Sequence, residues 1–141
     1  MTQSDSSKKT FRVLVVEDNP HVSEIFRYAF KRIVAEKLGD EVEVEVAGAT
    51  DGHQAWSKLE ETLTTAQPFD LVILDLMLPV LDGTEVLARV RANETLAPLP
   101  VIVITAGDED ACREARSAGA TEVLRKPVQF AQIREVVGVL L

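Results

Sequence analysis

Cysteine is nearly missing from this sequence: Cys112 stands alone, so no internal disulfide can form and no cysteine-based zinc site can be assembled. It reads as a small buried thiol. Long hydrophobic runs are also lacking. Asp75 and Pro79 interrupt the most apolar stretches, so no segment can span a bilayer. The opening residues, Met1 to Thr10, are polar and rich in Ser and Thr, without the apolar centre of a secretory signal. Basic residues are the minority, 15 Lys and Arg against 23 Asp and Glu, and they form no block. The resulting net charge of −8 repels a phosphate backbone, which argues against direct contact with nucleic acid. A Walker A run and a Gly-x-Gly-x-x-Gly turn are both missing, which disfavours nucleotide binding. The expectation is a cytoplasmic protein with no membrane insertion.

What remains is an ordinary globular composition, 46 % hydrophobic and 27 % charged over 141 residues, enough for one domain with a sizeable core. Short apolar runs alternate with longer amphipathic segments. Phe11 to Val16, Leu71 to Leu74 and Val101 to Ile104 are β-branched and nearly continuous, as in parallel strands covered on both faces. Glu41 to Val46 alternates strictly, which places three valines on one face and three glutamates on the other. That pattern suits an edge strand with one wet face. Glu122 to Arg125 is short and mixed and suits the opposite edge.

The intervening segments have helical period. Val22, Ile25, Phe26, Ala29, Phe30, Ile33 and Val34 form one stripe, with Asn19 as N-cap and Pro20 at the first helical position. A second helix is predicted over 51–63, burying Ala55, Trp56 and Leu59. Asp82 and Glu85 have the spacing of a capping box ahead of Val86, Leu87 and Val90. A fourth helix over 108–118 has only Ala111, Cys112, Ala115 and Ala118 to bury, so its hold on a sheet is weak. The last helix follows Pro127 and carries Phe130, Ile133, Val136, Val137 and Leu140. Five strand–helix repeats with mixed strands second and fifth predict an α/β flavodoxin-like (βα)5 domain, doubly wound, with strand order 2-1-3-4-5. It spans 11–141, and residues 1–10 are expected to form a disordered tail.

In such sheets ligands bind outside the carboxyl ends of the strands. The first strand ends at Glu17-Asp18, the third at Asp75, the fourth at Thr105 and the fifth at Lys126. From Asp18 onward these lie 57, 30 and 21 residues apart, and one βαβ step takes about 30 residues. The polar groups therefore converge on one rim. Clustered carboxylates repel and favour a cation, and an oxygen-only donor set suits Mg²⁺. A metal-bound carboxylate beside an ammonium and a hydroxyl is arranged to accept a phosphoryl group, here as an acyl phosphate on Asp75.

These segments resemble the receiver domain of two-component response regulators. The similarity lies in Val13-Leu14-Val15-Val16-Glu17-Asp18-Asn19, Asp70 to Pro79, Asp82-Gly83, Val103-Ile104-Thr105-Ala106 and Leu124-Arg125-Lys126-Pro127. It implies Asp75 as phosphoacceptor, with Mg²⁺ (Mn²⁺ as substitute) held by Glu17, Asp18, Asp75 and the backbone carbonyl of Met77. It also implies Thr105, Ala106 and Lys126 as the groups that contact the phosphoryl group and switch with it, and a cis bond before Pro127. Receivers often carry Tyr or Phe where this chain has Val123, so an aromatic gate is missing. Met77 and Gly107 occupy the positions that tune phosphoryl lifetime; neither offers a hydrogen bond to an attacking water, which implies slow autodephosphorylation.

The implied phosphodonor is a sensor histidine kinase or a histidine phosphotransfer protein. The output would be contact with a downstream protein by a stand-alone, non-enzymatic receiver, with homodimerisation on phosphorylation left open. The contact face would comprise the fourth helix, fifth strand and fifth helix, including Arg113, Arg116, Val123, Arg125 and Gln129. Two rival readings remain. Leu81-Asp82-Gly83-Thr84 resembles the haloacid-dehalogenase phosphatase signature, but its nucleophile position holds Val80. A pseudo-receiver would bind partners without phosphorylation, although this chain retains all five site residues. His21 and His53 read as solvated surface residues.

Overall fold

The computed structural model describes residues 8–141. In chain order it comprises β1 (Lys9–Val16), α1 (Pro20–Leu38), β2 (Val42–Ala49), α2 (Gly52–Glu61), β3 (Leu71–Asp75), α3 (Gly83–Ala92), β4 (Val101–Thr105), α4 (Glu109–Ser117), β5 (Glu122–Arg125) and α5 (Phe130–Leu140). The strands form one parallel sheet in the order β2-β1-β3-β4-β5, as the hydropathy patterns predict. Among the described residues no helix is long and apolar enough to cross a membrane.

Alternate residues of the central strands serve two cores. Leu14, Val16, Val72, Leu74, Val101 and Val103 face α2, α3 and α4. Val13, Val15, Leu71, Ile73, Ile102 and Ile104 face α1 and α5. All twelve are essentially inaccessible to solvent, and burying each such side chain contributes about 1.5–3 kcal/mol. This explains why the central runs lack the apolar–polar alternation of a sheet with one wet face.

Four local expectations are corrected. Lys9 and Thr10 pair with Val42 and Glu43, so β1 takes in two residues assigned to the tail. Backbone pairing recruits them, and hydropathy does not register it. Of the rest of that tail, Lys8 is exposed and outside the strand, and residues 1–7 lie outside the described residues. Ile25 is 54 % exposed although it fits the stripe of α1. The buried face centres on Phe26, Phe30, Ile33 and Val34, and Ser23 is buried in Ile25's place. On β5 both Val123 and Leu124 are buried, one in each core, because α4 and α5 cover the two faces of that edge. Val123 is thus unavailable to a surface contact face. Finally, Asp82 caps α3 through the Thr84 amide, but Glu85 pairs with Arg89 rather than returning a bond to Asp82.

Candidate functional site

The parallel register brings the strand ends to one edge. Val16 lies beside Leu74, Asp75 beside Ile104, and Thr105 beside Arg125. The ladder continues past the strands: the Glu17 amide donates to the Ala49 carbonyl at 3.0 Å, Leu76 to Ile104 at 3.3 Å, and Lys126 to Thr105 at 2.9 Å. Backbone pairing therefore fixes Glu17, Asp75, Thr105 and Lys126 before any side-chain contact is considered.

Glu17 and Asp75 are buried, whereas Asp18 is exposed. One carboxylate oxygen from each of the three lies within 4.8 Å of the others, the one cluster of this kind among the described residues. Lys126 bridges the buried pair, with Nζ at 2.7 Å from Asp75 Oδ2 and 3.4 Å from Glu17 Oε1. The other Asp75 oxygen accepts the Met77 amide at 2.9 Å, and Glu17 Oε2 accepts the Asn19 amide at 3.1 Å. Burial, followed by the hydrogen bond and charge of Asp75, pushes the Glu17 pKa up to about 7 against the opposing Asn19 amide and Lys126. For Lys126, burial is the largest influence and lowers the pKa, but Asp75 and Glu17 together outweigh it and leave the value raised. One ammonium thus does not fully compensate two buried carboxylates. That residual repulsion and an all-oxygen donor set fit a small, hard divalent cation such as Mg²⁺.

Thr105 is buried, and its Oγ1 accepts the Gly107 amide at 3.0 Å, which leaves the hydroxyl proton to donate. Ala106 is exposed beside it. A Cβ on Gly107 would lie 2.5 Å from the Ala111 Cβ, so this position cannot carry a side chain without displacing α4. Met77 projects from the rim, 75 % exposed. The Lys126–Pro127 bond is cis. His21 and His53 are exposed and belong to no metal-ligating cluster among the described residues. Asp82-Gly83-Thr84 opens α3 instead of closing a strand.

Some contacts have no counterpart in the sequence pattern. Arg125 Nε donates to the Gly107 carbonyl at 3.1 Å, tying β5 to the loop that carries Thr105. Val80 adopts φ 67°, a conformation unfavourable for a β-branched residue, in the loop after Asp75. Pro79 and Gly107 mark turns there, but nothing in the sequence assigns a positive φ to Val80 or a partner to Arg125.

Residues 13–138 match the family model of the response regulator receiver domain. The chain is 36 % identical over 128 residues to a protein-glutamate methylesterase/protein-glutamine glutaminase of Anaeromyxobacter dehalogenans, covering 90 % of this chain but 33 % of that protein. It is 34 % identical over 130 residues to a probable methanogenesis regulatory protein of Methanothrix harundinacea, covering 90 % of this chain and 79 % of that one. Among solved structures, the receiver domain of a sensor histidine kinase from Pseudomonas aeruginosa superposes with a TM-score of 0.72 at 30 % identity. That match covers 92 % of this chain and 96 % of the other, which holds a magnesium ion coordinated in its active-site cleft.

Proposed function

Because the chain belongs to the response regulator receiver domain family of two-component signalling, we propose that it accepts a phosphoryl group on Asp75 from a phosphohistidine. The donor is a sensor histidine kinase or a histidine phosphotransfer protein. An Asp75 carboxylate oxygen attacks phosphorus in line; the P–O bond forms as the P–N bond breaks, and the departing imidazole takes the electron pair. Receiver domains bind Mg²⁺ in their acidic pocket, and here Glu17, Asp18, Asp75 and the Met77 carbonyl would hold it, with Mn²⁺ as a substitute. When bound, the ion neutralises charge that builds on the phosphoryl oxygens.

The chain's own groups do the rest. Lys126, already 2.7 Å from Asp75, follows the charge from carboxylate to phosphoryl oxygen. Thr105 turns its free hydroxyl proton toward another phosphoryl oxygen, and the Ala106 amide serves beside it. That movement pulls the loop which Arg125 ties to β5, and Val123 repacks in place of an aromatic gate. Downstream contact is made by the outer face of α4, β5 and α5, through exposed Arg113, Arg116, Arg125 and Gln129.

The observation that carries this reading is the Lys126 ammonium bridging two buried carboxylates. Incubation with acetyl phosphate and Mg²⁺ is expected to add one phosphoryl mass, abolished in Asp75→Asn; an unchanged mass in the parent chain contradicts it. Neither Met77 nor Gly107 can hold an attacking water by a side-chain hydrogen bond. Loss of that mass after removal of acetyl phosphate is therefore expected to take minutes or longer, and decay within seconds contradicts the assignment.

A further inference from the structure

We propose that the groove between α3 and α4 is a docking site for a basic peptide segment of a partner protein that presents one bulky apolar side chain. The groove has a volume of about 440 Å³, within the roughly 300–1,000 Å³ of ligand-binding clefts. Leu76, Met77 and Leu87 line one wall, and Ala111, Ala115 and Ala118 line the other. It exists because α4 turns alanines rather than large side chains toward α3; its buried residues are only Cys112 and Ala115. Exposed Met77 at the mouth has the unbranched, polarizable side chain that adapts to an apolar guest.

Charge selects the guest. Asp82 stands on the α3 side of the mouth and Glu114 on the α4 side. Neither belongs to an ion pair among the described residues. Arg113, beside Glu114 in the chain, already pairs with Asp110, and Arg125 donates to the Gly107 carbonyl. An aromatic or long aliphatic side chain can fill the apolar groove while flanking Lys or Arg residues meet the two carboxylates.

The floor of the groove is Thr105, Ala106 and Gly107, so the docking site shares a wall with the acidic rim. It lies on the opposite side of α4 from the outer α4–β5–α5 face. The docking itself does not depend on the reading of Asp75 and is tested in unphosphorylated protein.

The probe is a capped tetrapeptide, Arg-Trp-Lys-Arg, titrated into the ¹⁵N-labelled full chain and followed by amide shifts. Companions replace Trp by Ala, or the three cations by Glu. The parent peptide is expected to shift Met77, Leu87, Gly107, Ala111 and Ala115, and both companions are expected to bind at least fivefold more weakly. Glu114→Lys should weaken the parent peptide about fivefold, and Ala111→Phe, which fills the groove from a half-buried position, should abolish binding. Both variants should retain the mass gain from acetyl phosphate, which separates failure of docking from failure of the acceptor. Shifts confined to the outer α4–β5–α5 face, or equal binding of the acidic peptide, overturn the proposal. So does concentration-dependent broadening of the same amides without peptide, which assigns the groove to a second copy.

Discussion

Glu17 illustrates how a single residue reports the state of the site. Its pKa is pushed up to about 7 in the folded chain, from an ordinary value of 4.5. Between those values the folded state binds a proton that the unfolded chain releases, so stability falls as pH rises from about 4.5 to about 7. The expected loss is on the order of 3 kcal/mol. Urea unfolding in EDTA across that range is expected to show it; Mg²⁺ should restore stability at pH 7, and Glu17→Gln should flatten the profile. A flat profile in the parent chain contradicts the raised value. At this scale the sequence was informative about which residues meet, since a strand end fixes position by backbone pairing. It was silent on Arg125 reaching the Gly107 carbonyl and on the left-handed conformation of Val80, because loop paths depend on tertiary contacts.

At the scale of elements, apolar periodicity marked every strand and helix, because each buries a face whose period is set by backbone geometry. It erred where two residues compete for one boundary. Ile25 fits the stripe of α1 yet points to solvent, since Phe26 and Phe30 fix the rotation of the helix. The lower end of α4 depends on a contact that no pattern reveals. Arg91 donates to the carbonyls of Ala97 at 2.8 Å, Leu99 at 2.6 Å and Gly119 at 2.8 Å, and to the Thr121 hydroxyl at 3.3 Å. Burial lowers its pKa, and no carboxylate pairs with it among the described residues. It therefore stitches the α3–β4 and α4–β5 loops together. Arg91→Met is expected to cost about 2 kcal/mol by leaving several carbonyls without a donor, read as a lower urea midpoint. Faster amide exchange should centre on residues 118–121. An unchanged midpoint contradicts this role.

For the whole molecule, strand order was legible because the two strands of mixed pattern had to occupy the edges, and the central runs had to be covered on both sides. Once order is fixed, the parallel strands place every carboxyl end on one rim, the reversal of connection between β1 and β3 opens a crevice there, and the site follows from topology. The groove beside α4 was not legible in the same way, since a shortage of large side chains on one helix becomes a space only when its neighbour is in place. The proposed chemistry rests on one atom set: Asp75 would capture phosphorus while Lys126 and the acidic cluster balance the charge. Borohydride reduction after acetyl-phosphate loading converts an aspartyl phosphate to homoserine, which peptide mass mapping locates. Homoserine at position 75 alone, dependent on Mg²⁺ and sharply reduced in Lys126→Ala, is the expected result; modification at another aspartate, or none, contradicts the account.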